Sequence, residues 1–390
     1  MNATTRKNSA MLAALFALRM FGLFIILPVF TLAAQNLPDG NDLFWVGFAL
    51  GAFGLSQVFF QIPYGSFSDI YGRKKLIFIG LIFFGAGSLL GAVSDSVFML
   101  TIARFLQGAG AFSGVISALA ADITVDEDLT KTMAMIGSSI ALMFALSLIL
   151  SPIMFGFIGL NGIFACVFLL TIPAFWILHK LPENPQFSTV NRKKFSKNDL
   201  KNIFWNTDLN ALNLGIFLLS SIQTAFFILL PRRLLLENLE PHQHFLAYTP
   251  AIIAAVIVMV PLIILAEKKN KMAAIFRLNI AFIAATALGL YFFPHHFWNL
   301  VFWIFLFFVA FNVLEATLPS LLARRCPPEV KGTAMGIYNT AQSAGMFFGG
   351  MAGGALGKYY GEASILVMCV LFSVVWLILT KKQNFAPKKS

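Results

Sequence analysis

Three charged side chains stand well inside apolar runs of this 390-residue sequence: Arg19 in "FALRMFGLF", Arg104 in "TIARFLQGAG" and Glu315 in "FVAFNVLEATLPSLL". Glu315 is the one acid of the three. A charge near the middle of a bilayer costs about 2.5–3.5 kcal/mol on insertion scales, so such residues pair with one another or line functional paths. A carboxyl in that position can carry a proton, because burial disfavours its charged form and a nearby cation restores it. Asn312, one helical turn earlier, is spaced to hydrogen-bond the same group. The chemistry on offer is reversible protonation of Glu315 alternating with pairing to Arg19. A fixed Arg19–Glu315 ion pair that joins two parts of the chain is the plainer alternative.

Such positions presuppose a chain that lives mostly in lipid. Hydrophobic residues make up 58% of the sequence and charged residues 12%, with a mean hydropathy of +0.81. A water-soluble domain carries about 25% charged residues. Apolar runs of about 18 residues or more, the length that crosses a bilayer as helix, fall at 9–35, 43–67, 75–93, 96–120, 132–158, 160–179, 209–230, 244–266, 272–293, 296–323, 333–357 and 363–380. The first is too long for a removable signal peptide and lacks its small-residue cleavage site, so it is read as the first of twelve spans. At 1.5 Å per residue, Glu315 lies about 12 Å and Arg19 about 15 Å from the same membrane face.

The net charge of +11 is a matter of topology. With both termini cytoplasmic, only Arg232, Arg233 and Lys358 fall outside, and Arg19 and Arg104 fall within spans. The remaining Lys and Arg lie in cytoplasmic segments, as the positive-inside rule requires. No basic stripe is left over for nucleic acid. Cys166, Cys326 and Cys369 are scattered, without metal-ligand spacing or a disulfide framework. The His295–His296 pair sits at an external helix end and is read as interfacial. No nucleophile–base order, zinc motif or phosphate loop is present, so neither enzyme activity, metal nor cofactor is expected.

Residues 181–208 are long, polar and basic, and they divide the spans six and six. The expected organisation is a six-helix bundle over 1–180, a cytoplasmic linker over 181–208 and a second six-helix bundle over 209–390. The halves echo one another: "GSFSDIYGRKK" follows the second span and "PLIILAEKKNK" the eighth, with Asp69 and Arg73 spaced as Glu267 and Lys271.

The first of these loops, Gly65 to Lys75, resembles the G-x-x-x-D-x-x-G-R-K-K signature of the major facilitator superfamily and matches it at every fixed position. A merely solvated basic loop is the bland alternative. Together with "RFLQGAGA", "FALRMFGLFIILPVF", "QIPYGSFSD" and "KGTAMGIYNTAQSAG", nearly the whole chain is similar to the YajR-type drug:proton antiporters of that superfamily. The resemblance implies an all-α membrane protein of twelve transmembrane helices in two pseudo-symmetric six-helix bundles. Longer members of that group carry a soluble domain after the last span. Here "KKQNFAPKKS" follows, and that domain is expected to be absent.

Gly65 and Asp69 lie one turn apart, so a neighbouring helix is expected to approach closely at Gly65 while Asp69 faces that helix's end. The resemblance further implies that Asp69 meets the start of span 11 near Gly332–Thr333. It also implies that Arg73 pairs with Asp122, the acid closing span 4, and that Gly65, Asp69, Gly72, Arg73, Lys74 and Asp122 form a cytoplasmic gate. The glycines of span 2 (Gly47, Gly51, Gly54) and span 11 (Gly332, Gly336, Gly345, Gly349, Gly353, Gly357) are expected to let backbones pack closely. Arg104 and Gln107 are read as serving proton transfer or cavity electrostatics, against a plain pairing of Arg104 with backbone carbonyls. In the fold implied, spans 1, 4, 7 and 10 line the cavity, which places Phe24, Phe217 and Phe311 there beside Arg19, Asn312 and Glu315. Few charges and many aromatic rings suit small amphipathic or hydrophobic solutes.

The reading is therefore a monomeric, proton-coupled exporter in a bacterial inner membrane. Span 5 departs from the antiporter pattern, with Ser151–Pro152 and Phe155–Gly156 where Gly-Pro and Gly-Gly would stand. That departure keeps a symporter or facilitator open, and a receptor without transport is the alternative from another class.

Overall fold

The structure, a computed structural model, describes residues 3–124, 126–182, 206–269, 271–293, 296–326 and 331–381. Most of the 181–208 segment and His295 of the histidine pair lie outside these residues. Every element is helical, as hydrocarbon requires of a chain whose backbone N–H and C=O groups have no water to bond. The helices are α1 (Ala3–Phe24), α2 (Leu27–Ala34), α3 (Leu43–Tyr71), α4 (Arg73–Ala92), α5 (Val97–Ala109), α6 (Ser113–Ile123) and α7 (Asp126–Lys180). They continue as α8 (Thr207–Leu236), α9 (Phe245–Lys268), α10 (Met272–Phe292), α11 (Phe297–Arg325), α12 (Lys331–Tyr360) and α13 (Glu362–Thr380).

Local chemistry sets the breaks. Pro28 stands in the first turn of α2, where its missing N–H is tolerated, and it separates α2 from α1 within one span. Ser96 caps α5 by accepting from Met99 N at 3.3 Å, and Asn206 caps α8 by accepting from the N–H groups of Asp208 and Leu209 at 3.0 and 3.2 Å. Gly72 alone joins α3 to α4, at φ 99°, a conformation that a side chain would strain. Gly159 interrupts the 55 residues of α7 with φ 64°. A straight helix of that length would run about 80 Å, well over twice the hydrocarbon core, so α7 makes two passes.

Ten helical stretches among the described residues are long and apolar enough to cross a membrane. One of them is the double-length α7, while α12 is diluted by glycine and polar residues and is not among the ten. The arrangement thus fits the twelve expected passes. Large apolar side chains stand exposed along the helices, including Phe157, Trp298 and Ile70, a surface that lipid rather than water accommodates.

Two compact units emerge, one formed by Met1–Asn41 and Ala52–Lys194 and the other by Asp42–Gly51 and Phe195–Ser390. Helix α3 therefore contributes its first residues to the second unit and the rest to the first. In the first unit α7 packs on α1 and α4, and α4 on α5; in the second α8 packs on α12, and α11 on α9 and α10. One device occurs in both. Lys74 Nζ donates to the carbonyls of His179 (3.3 Å) and Leu181 (2.9 Å) at the end of α7. Arg277 Nη2 donates to the carbonyl of Thr380 at 3.0 Å, at the end of α13. A cation at a helix C-terminus satisfies orphan carbonyls and complements the dipole.

Candidate functional site

The turn between α3 and α4 gathers charge. Arg73 Nε lies 3.0 Å from Asp122 Oδ2 at the end of α6, with both side chains about nine-tenths buried at 11% exposure. Its guanidinium also meets Asp69, four residues earlier and half exposed, and donates to Ser68 Oγ. Ser68 Oγ in turn donates to the carbonyl of Gly65 at 2.7 Å. Arginine suits this position because its planar fork can serve several acceptors at once. A Cβ at Gly65 would meet nothing within 4 Å among the described residues, and Gly65 supplies a carbonyl to this network. Gly332, expected opposite Asp69, has no described side-chain environment.

The two cations set deep within the spans of the first unit lie around one ring. Arg104, wholly buried, has its guanidinium 4.9 Å from the centre of Phe53 on α3, and Arg19 lies 6.0 Å from the same ring and 5.1 Å from that of Phe112. Such contacts spread the cost of a desolvated guanidinium over aromatic faces. Arg104 Nη1 donates to Gln107 Oε1 at 3.0 Å, and Gln107 Nε2 donates to Ser88 Oγ at 2.9 Å on α4. Among the described residues the partner of Arg104 is thus the Gln107 side chain and not a backbone carbonyl. Glycines allow the approach: a Cβ at Gly87 would stand 2.5 Å from Gln107 N and 2.6 Å from Ala103 O. Both arginines keep N–H groups buried without an acceptor, Nε and Nη2 in each. Phe24 is occupied by an edge contact with Phe144, centres 5.0 Å apart.

In the second unit Glu315 sits half-buried on α11, where Oε1 accepts from Gln342 Nε2 of α12 at 2.8 Å. Its Oε2 is buried with no hydrogen-bond partner, and among the described residues of its own unit no Lys or Arg pairs with it. The amide that reaches the carboxyl is that of Gln342, not Asn312. Tyr338, one turn before Gln342 on the same face of α12, is likewise buried with its Oη unpartnered. Phe311 is 5% exposed and stacked on Phe307, which stacks on Phe226 of α8 with centres 4.3 Å apart. It belongs to an interior column of rings. Phe217 contacts Phe348 at 5.6 Å.

Sequence reasoning missed a second charged cluster at the C-terminal end of α12. Asp42 Oδ1 accepts from Phe44 N at 3.0 Å, opening α3, while Oδ2 accepts from Lys358 Nζ at 2.6 Å. Burial pushes Asp42 upward, but the Lys358 and backbone hydrogen bonds outweigh it and leave its pKa below the ordinary value. The same hydrogen bond holds the Lys358 ammonium above its ordinary range. Beneath the pair, Gly47 rests on the backbone of Gly350 and Gly354. A Cβ at Gly51 would stand 2.9 Å from Phe347 O. Helix α12 thus has two glycine faces, because Gly345 and Gly349 abut the backbone of Phe217 and Ser221 on α8 instead. The sequence signals for the first face were Gly47 and Gly51, four apart in α3, and the doubled Gly349–Gly350 and Gly353–Gly354. Arg232 and Arg233, the exceptions to the charge skew, both pair with Glu362 at the start of α13, at 2.7 and 3.3 Å.

Comparison with known proteins agrees with this architecture. The sequence model of the Major Facilitator Superfamily matches residues 10–350 and again 281–388. The chain is similar to the inner membrane transport protein YajR of Escherichia coli (strain K12), 35% identical over 96% of this chain and 83% of that protein. It is also similar to the quinolone resistance protein NorA of Staphylococcus aureus (strain COL), at 26% identity over 94% and 95% of the two chains. Among solved structures, a D-xylose-proton symporter superposes with a TM-score of 0.76 at 14% identity, covering 98% of this chain and 99% of the other.

Proposed function

The chain belongs to the Major Facilitator Superfamily and is a multi-pass membrane transporter; from that premise we propose that it exports small amphipathic or hydrophobic compounds in exchange for protons. The observation that carries the proposal is Glu315, the one acid placed deep in a span. One of its oxygens is held by Gln342 and the other is buried without a partner, so Oε2 can take up a proton without breaking an existing bond. The two relatives named for transport and for quinolone resistance support this direction. Both termini are cytoplasmic in this reading, as the Lys and Arg skew requires.

The cycle runs as follows. Glu315 loads a proton from outside, the units rock, and the proton leaves inward as the carboxyl regains a cation, for which Arg19 is the candidate. The Asp69–Arg73–Asp122 cluster holds the cytoplasmic side while the cavity faces out, with Asp69 at the start of α12, and Gly72 and Lys74 shape and fasten the turn. Arg104 and Gln107 set a fixed positive charge in the cavity. One proton falling through about 100 mV supplies about 2.3 kcal/mol, and each pH unit adds about 1.4 kcal/mol. Together these sustain a solute ratio of a few hundredfold.

Proteoliposomes with an imposed pH gradient test the proposal, with rhodamine 6G as probe. In inverted orientation, acidifying the lumen drives accumulation of an exported dye and release of a symported one. Infrared titration should show a carboxyl C=O band that gains and loses intensity with pH and is missing from E315Q. A Glu315 that stays ionised at every accessible pH ends this mechanism.

A further inference from the structure

Where α3 turns into α4, the surface of the first unit holds a groove of about 590 Å³ whose lining includes Phe59, Phe60, Tyr64, Phe67, Lys75 and Phe83. This volume is within the range of small-ligand sites, and the walls are almost wholly apolar. Three polar side chains interrupt them, Tyr64, Lys75 and the exposed Tyr71. Tyr64 is 6% exposed, and its Oη is buried with no hydrogen-bond partner. Lys75, at the rim, is exposed and makes neither ion pair nor hydrogen bond among the described residues. Its neighbours are committed, Arg73 to Asp69 and Asp122, and Lys74 to the carbonyls ending α7.

A second hollow of about 500 Å³ adjoins the first, sharing Lys75 and Ile79 and adding Lys74 and His179. Trp176, exposed with Lys180 Nζ 3.8 Å over its ring, places this end of the unit at headgroup level, where amphipathic rings and snorkelling cations collect.

The geometry points to a binding site for a phospholipid with a net negative headgroup. Its acyl chain lies in the aromatic groove, an ester carbonyl accepts from Tyr64, and the acidic headgroup neutralises Lys75 beside Lys74. Any lipid can fill an apolar groove; a lone ammonium at the rim selects among them. A zwitterionic headgroup brings its own ammonium and gains little there. Basic hollows between spanning helices take acidic lipid headgroups in this manner, and one lysine is worth about a fivefold preference. Tyr64 lies seven residues before the end of α3, on the order of 10 Å below the turn, deep enough for the ester region while the phosphate stays at the rim. The site stands independently of the proposed transport cycle.

Native mass spectrometry of the full chain tests it, with phosphatidylglycerol and phosphatidylcholine of matched acyl chains offered in equal amounts. The wild type should retain phosphatidylglycerol about fivefold over phosphatidylcholine, and Lys75→Ala should bring the ratio near one. Tyr64→Phe should reduce retention of both lipids while keeping their ratio. The exposed pair Lys268 and Lys269 of the second unit serves as control, and replacing both by alanine should leave the ratio unchanged. Equal retention by the wild type, a preference that survives in Lys75→Ala, or its loss in the control variant would overturn the proposal. Added inorganic phosphate should leave the preference in place; its loss would assign the site to a soluble anion and likewise overturn it.

Discussion

In the first unit the charges set deep within the spans are two guanidiniums, Arg19 and Arg104, laid against Phe53 and Phe112. In the second unit the charge set deep within a span is one carboxyl, held by an amide on one oxygen and, among the described residues, without a hydrogen-bond partner on the other. The chemistry of the groups explains why the two are not interchangeable. A guanidinium keeps its charge at any physiological pH and tolerates aromatic faces. A carboxyl can be emptied of charge by one proton. Under the proposed cycle the first unit holds a constant field and the second holds the variable charge that moves through it.

The largest expected effect comes from making the second unit as constant as the first. Glu315→Gln should remain in the membrane and reduce flux driven by a pH gradient to that of empty liposomes. Gly350→Leu should come next, since its side chain would press into the Gly47 backbone. Overpacking of this kind costs about 1–3 kcal/mol, and dye transport should fall at least tenfold without loss of membrane insertion. Gln342→Ala removes the one donor on Glu315, an interaction worth about 1.5–3 kcal/mol when the acceptor is charged, and should slow coupled flux about tenfold. Asn312→Ala should change it less than twofold, which sharpens the distinction between the two amides.

Smaller effects test the turns that the two units share in pattern. Arg73→Ala strips a partly buried acid of its cation and should lower the melting temperature in detergent by several degrees, for about 1–3 kcal/mol. Its counterpart Lys271→Ala, at an exposed position, should move it little. The smallest effect belongs to Asp42→Asn. Because the Asp42 pKa is depressed, the pair's contribution is present above about pH 4 and is lost as pH falls through the depressed value. Because the Lys358 pKa is raised, its contribution is present below about pH 10 and is lost as pH rises through the raised value. The few-fold effect of Asp42→Asn on transport should therefore be equal at pH 5.5 and 8.5. Any pH dependence between those values then originates elsewhere, with Glu315 the named source.

Sequence periodicity and charge made the spans legible because membrane burial leaves long, unambiguous apolar runs. The Arg73–Asp122 contact was implied by the family resemblance that the signature loop carries, and the structure shows it. What escaped was set by partners far apart in the chain. Asp42 and Lys358 are 316 residues apart, and nothing local marks either as paired. Gln342 was hidden among small and polar residues of α12, whereas Asn312 drew attention by standing one turn from Glu315. Spacing along one helix identifies which groups share a face; it does not say which neighbouring helix will reach them.

The pairing of Arg232 and Arg233 with Glu362 has a consequence for biogenesis. The counter-ion is synthesised 130 residues after the first arginine, at the opening of the last helix. Until that helix inserts, two adjacent positive charges stand without their acid at a helix end, and a ribosome stalled before residue 362 leaves them so. Pairing of the two arginines thus has to await insertion of α13.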